Sequence, residues 1–132
     1  MSKFLIVFLL ISFNAFGDVI SFGCGEIFVF GRGNQNIYLS NDDFLNSSDW
    51  KLGDVEPPVS LNIATEKVVS HIENNYPKED INFAFIHLKH ESCIIDGEMK
   101  TIWLYIFGLD SPDVLVGVTM VGRLIESKTK TE

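Results

Sequence analysis

Residues 99–107 constrain this chain most. Along them Met99, Thr101, Trp103, Tyr105 and Phe107 fall on one side of an extended backbone, and Ile102, Leu104 and Ile106 on the other, because strand side chains alternate between faces. Both faces are apolar, which predicts a central strand rather than a half-solvated one. Strand-like runs flank it. Residues 81–89 come before, with a shift of phase between Phe85 and Ile86 that predicts a bulge or two buried faces. Residues 114–121 come after, followed by Gly122 and a short run of Arg123-Leu124-Ile125-Glu126. Asp96-Gly97 and Asp110-Ser111-Pro112-Asp113 supply the turns.

Upstream, the spacing predicts a helix over 61–75. Leu61, Ala64, Val68 and Ile72 recur every three or four residues, with Thr65 and Val69 beside them, while Asn62, Glu66, Lys67, Ser70 and Glu73 form the polar side. Ser60 offers an N-cap, and Asn74-Asn75-Tyr76-Pro77 a stop. Nearer the start, Glu26-Ile27-Phe28-Val29-Phe30 reads as a strand, Gly31-Arg32-Gly33-Asn34 as a turn and Ile37-Tyr38-Leu39 as its partner. A polar, acidic connection over 40–58, with one helical turn, joins this hairpin to the helix. The order predicts an α+β domain: one amphipathic helix packed on a mainly antiparallel sheet of four to six strands with one covered face, plus an N-terminal hairpin. The polar end, 127–132, is expected to fray, with the domain closing near 128 and a disordered tail over 129–132.

The first seventeen residues have the form of a secretory signal peptide. Lys3 gives the positive start, Phe4 to Ile11 the apolar segment, and Ala15-Phe16-Gly17 the small residues before a cleavage point near Gly17–Asp18. A retained anchor is the alternative, although a spanning helix needs about 20 predominantly apolar residues and Asn14 interrupts this run. A lipid anchor on Cys24 is a third reading, with only Gly23 of the preceding Ser21-Phe22-Gly23 fitting it. Cleavage predicts a periplasmic or secreted protein that meets the membrane only during export, with about 115 residues left for a single domain over 18–128.

The full chain carries 18 acidic and 10 basic side chains, a net charge of −8, and loss of Lys3 takes it to −9. Such a surface disfavours nucleic acid and anionic lipid and steers basic partners toward it. In an oxidising compartment the two cysteines, Cys24 and Cys93, form most simply a disulfide; two buried thiols are the alternative.

Catalytic signatures are sparse. His87-Leu88-Lys89-His90-Glu91-Ser92-Cys93 has zinc-like ligand types. On a strand, however, His87 and His90 point to opposite faces, so a common site requires the strand to end near Leu88. Gly23-x-Gly25 and Gly31-x-Gly33 lack the third glycine and following helix of a dinucleotide loop. Asp42, Asp43, Asp49, Asp54 and Glu56 concentrate acid in the connection without EF-hand spacing. No catalytic residue, metal ligand or cofactor is therefore assigned. Phe44 and Trp50, aromatics within that acidic stretch, are the candidate partner contacts. Asn46-Ser47-Ser48 matches a glycosylation sequon, which matters only in a eukaryotic secretory pathway.

Residues 59–128 resemble small secreted bacterial domains of the PepSY and cystatin-like type. The resemblance rests on Val59-Ser60-Leu61-x-x-Ala64 opening the helix, Trp103-x-Tyr105 on a central strand, and Val114-x-Val116-x-Val118-x-Met120-x-Gly122 before the closing strand. Val121 stands where such domains often carry an acidic residue. The resemblance implies a helix wrapped by an antiparallel sheet and a protein that works by contact, as an inhibitor or regulator does. The expected function is thus non-enzymatic binding of another protein, inhibitor-like or immunity-like. The alternative is a small envelope hydrolase or ligand-binding enzyme using carboxylates with His87 and His90.

Overall fold

A computed structural model describes residues 24–129. The expected leader over 1–17, its cleavage point, the residues preceding Cys24 and positions 130–132 of the tail lie outside the described residues. The element order is β1 (Ile27–Arg32), β2 (Gln35–Leu39), α1 (Asn41–Leu45), α2 (Leu61–Asn75), β3 (Asn82–Ile95), β4 (Glu98–Ser111), β5 (Val114–Thr119), β6 (Leu124–Glu126) and β7 (Lys128–Thr129).

The fold is α+β, but its strands divide between two antiparallel sheets rather than one. One sheet has the order β1-β2-β7 and the other β3-β4-β5-β6. The reason lies in β4, whose two apolar faces each need a cover. On one side Tyr105, Phe107 and Leu109 pack with Val114, Val116 and Val118 of β5 against Ala64, Val68 and Ile72 of α2. On the other, Ile102, Leu104 and Ile106 pack with Leu115 against Val29, Ile37 and Leu39 of the hairpin. The result is three layers, helix, four-stranded sheet and three-stranded sheet. A fully buried Val, Leu, Ile or Phe side chain contributes about 1.5–3 kcal/mol, and β4 and β5 carry seven of the twelve largest such side chains, so the centre of the four-stranded sheet dominates the packing energy.

Local chemistry sets the ends of these elements. Ser60 Oγ accepts from the Ile63 amide at 3.2 Å and caps α2, which ends at Tyr76. Leu61, expected on the apolar side, is exposed; Val59, just ahead of the cap, takes the buried place against the sheet instead, with its carbonyl accepting from Tyr105 OH. The short helix α1 is the helical turn of the connection: Ser40 and Asp43 form a reciprocal capping box, and Asp43, buried, also pairs with Arg123 from the β5–β6 turn. At the β3–β4 turn both Asp96 (φ 52°) and Gly97 (φ 78°) are left-handed, the requirement of a two-residue type I′ hairpin.

Strand β3 differs from its expected outline. The irregularities in its pairing with β4 lie between Asn82 and Phe83 and between Phe83 and Phe85, just before the expected shift. Beyond them the Phe85 ring packs on Gly108, where an added Cβ would overlap the ring. From Phe85 the strand runs without further irregularity to Ile95, six residues beyond the expected end. The end of the chain is a second correction. Ser127 donates its amide to Leu115 O at 2.9 Å, and Lys128 and Thr129 pair with Asn36 and Gln35, so these residues close the three-stranded sheet instead of fraying.

A disulfide and an arginine also bind the sheets. Cys24 and Cys93 form a disulfide between the chain ahead of β1 and β3. Arg32, at the tip of the hairpin, donates from Nη2 to Leu109 O at 2.6 Å and Asp113 Oδ1 at 2.8 Å, with its guanidinium over the Phe85 ring.

Candidate functional site

The expected contacts separate in the structure. Phe44 is fully buried, packed with Leu39, Ile102 and Leu104 in the core between the sheets, and presents nothing to a partner. Its place follows from α1, whose single apolar inward position it occupies. Trp50 is half-buried and lies on the opposite side of the four-stranded sheet, edge-on to Trp103 with ring centroids 5.7 Å apart.

The loop after α1 builds a frame around Trp50. Its Nε1 donates to Val55 O at 2.7 Å and its amide to Ser48 Oγ at 3.0 Å, while Asp54 Oδ2 accepts from the Lys51 amide at 3.0 Å. These bonds use the polar edge of the indole and leave its apolar surface as what the loop presents. Trp103 is flanked on its other side by the exposed His90 ring, centroid to centroid 4.6 Å. Next along the hairpin, the hydroxyls of Ser92 and Thr101 lie 2.8 Å apart.

Between the loop and the start of β4 lies an open cleft with a cavity volume of about 640 Å³, lined by Ser47, Ser48, Asp49, Trp50, Lys51 and Asp54 on one side and Met99, Lys100 and Thr101 on the other. Two carboxylates and two ammonium groups sit around an aromatic and thioether surface. Such a cleft can hold a chain segment by apolar contact and select it by charge. Its hydroxyls are engaged within the fold: Ser47 Oγ donates to Phe44 O at 2.8 Å, Ser48 Oγ accepts from the Trp50 amide, and Thr101 Oγ1 pairs with Ser92 Oγ. Trp103, Met99 and Thr101 were legible as one face of a strand; that the acidic loop folds over that face was not.

His87 and His90 do not converge. Because β3 continues past Leu88, they stand on opposite faces, His87 against Phe85 and Phe30 and His90 against Trp103. Cys93 is committed to the bridge, and among the described residues no group of three or more His, Cys, Asp or Glu side chains could hold a metal ion.

A polar cluster not anticipated from the sequence ties α2 to β6. Glu126 Oε1 lies 3.0 Å from His71 Nε2 and accepts from Tyr76 OH at 3.2 Å. Asn75 Nδ2 donates to His71 O at 2.8 Å and stands 3.2 Å from Nδ1. The carbonyl fixes the amide orientation, so Nδ1 accepts and Nε2–H donates to Glu126. Burial, then the charge of Glu126, push the Tyr76 phenol above its ordinary pKa, and burial alone raises Tyr105, whose hydroxyl donates to Val59 O at 3.0 Å.

Among the described residues no helix is long and apolar enough to cross a membrane. No family model, curated protein or solved structure matches the chain.

Proposed function

We propose that this protein is a secreted or periplasmic binding module that regulates another protein by contact, taking an extended segment of it into the Trp50 cleft. The carrying observation is the presentation of Trp50: its indole N–H is satisfied internally, its ring is braced on Trp103, and its apolar surface borders an open, charged-rim cleft. Aromatic side chains held this way give contact area at small entropic cost and concentrate binding energy at interfaces. The net charge of −8 favours a segment carrying Lys or Arg, and Asp49, Asp54, Lys51 and Lys100 around the cleft can pair with charges of either sign along it. The disulfide fits an oxidising compartment. The resemblance of 59–128 to PepSY and cystatin-like domains points to the same mode of action, as an inhibitor or an immunity protein.

The test is a photo-crosslinking residue at Lys51, in the cleft, compared with one at Phe28, exposed on the far sheet. In the producing cells Lys51 should yield a discrete heavier product that Phe28 does not, and Trp50→Ala should abolish it while leaving the circular dichroism spectrum unchanged. Equal products from both positions, or none from Lys51, would rule the reading out.

A further inference from the structure

We infer that the outer edge of β3 is a self-association edge, through which two copies of this chain pair antiparallel about His90 and join their four-stranded sheets into one. This goes beyond the cleft and does not depend on it.

Among the described residues β3 is paired on one side only, with β4. Natural proteins usually blunt so long an edge with bulges, charges or a covering segment. Here the irregularities are confined to the beginning of the strand, and the segment from Phe85 to Ile95 is regular. Its outward backbone groups form a template of about ten hydrogen bonds for another strand. Helix α2 packs over β4 and β5 and leaves the same face of β3 bare, so Ile86, Leu88 and Ile94 are exposed by 41%, 39% and 47%.

The side chains of the segment select the partner and the register. Its midpoint is His90, so full overlap of two copies places His90 opposite His90. The same register sets Ile86 opposite Ile94 and Lys89 opposite Glu91, each pair occurring twice. Lys89 and Glu91 are the only formally charged residues of the segment, histidines aside, and both are half-buried. Lys89 Nζ sits over the Phe30 ring at 5.3 Å, and Glu91 forms no ion pair among the described residues. Pairing supplies Glu91 with its cation. Slipping by one step that keeps the faces together, in either direction, puts Lys89 against Lys89 or Glu91 against Glu91, and like charges directly opposite are destabilising. The strand is therefore self-complementary in one register and repelled in its nearest neighbours. The occupant that matches this pattern is a second copy of the chain.

Sedimentation equilibrium on protein expressed from its full reading frame, purified with its bridge intact, tests the pairing. The unmodified protein should dimerise reversibly. Lys89→Glu or Glu91→Lys alone should raise the dimer dissociation constant by about tenfold or more, and the double exchange should bring it back. A second measurement is independent of folding differences among these variants: on mild oxidation His90→Cys should give a covalent dimer. Ile86→Cys should not, because its two copies would lie about 27 Å apart at about 3.4 Å per residue. A protein monomeric at millimolar concentration, a dimer indifferent to the single exchanges, failure of the double exchange to restore it, or equal cross-linking at 86 and 90 would each overturn the inference.

Discussion

Strands β5 and β3 both pair with β4, yet they live in different surroundings. Every residue of β5 is buried, with Val114, Val116 and Val118 under α2 and Leu115 under the hairpin sheet. In β3 only Cys93 and Ile95 are buried. A strand covered on both faces holds the layers together; a strand covered on one face, along one edge, is free to meet something else. Buried packing and exposed surface are thus divided between neighbours in one sheet, with β4 carrying the boundary from its buried half at Ile102–Leu109 to its cleft-lining start at Met99–Thr101.

The strongest test of that division is the same substitution on the two sides. Leu115→Ala, at a fully buried site, should cost about 2–5 kcal/mol in urea unfolding, because it leaves a cavity between the layers; a loss below about 1 kcal/mol would show that β5 is not the packing centre. Replacing Cys24 and Cys93 together by serine should cost about 2–4 kcal/mol, since the bridge closes a separation of 69 residues. Its loss should loosen the tie between β3 and the hairpin before it disturbs β5, which hydrogen exchange on the two strands would resolve.

Gly108→Ala should cost about 1–3 kcal/mol because its methyl group enters the Phe85 ring. Combining it with Phe85→Leu should recover part of that loss, and no recovery would place the strain elsewhere.

The raised phenols give a pH signature. Tyr76 and Tyr105 hold their protons more tightly folded than unfolded. Their contribution is complete below pH about 10, the ordinary tyrosine value, and is lost as pH rises through the folded values. The urea midpoint should therefore fall on going from pH 9 into the range above about 10. The double variant Tyr76→Phe and Tyr105→Phe should fall less steeply, and an unchanged slope would remove both groups from the account. The smallest effect should be Leu88→Ala on the open strand, within about 0.5 kcal/mol of the parent in dilute monomer. A loss matching that of Leu115→Ala would erase the contrast.

Much of this architecture is legible from local pattern. The bounds of α2 follow from Ser60, the three-and-four spacing and the stop at Tyr76-Pro77. The β3–β4 turn follows from Asp96-Gly97, and the central position of β4 from its two apolar faces. The division into two sheets is not legible, because Ile102, Leu104 and Ile106 call for a cover without naming it. Of the two aromatics in the acidic connection, Phe44 and Trp50 look equivalent in sequence. A five-residue helix turned one into the core, while the loop after it laid the other on Trp103.

Sequence alone determined the elements, their turns and the availability of Cys24 and Cys93 for a bridge, because backbone preference and alternation act over a few residues. Only tertiary structure decided which layer covers each face of β4, which aromatic reaches solvent, how His71 meets Glu126 and which edge stays open. Those outcomes depend on segments distant in sequence, such as His71 and Glu126 at a separation of 55, arriving at the same surface, and no local period encodes that meeting.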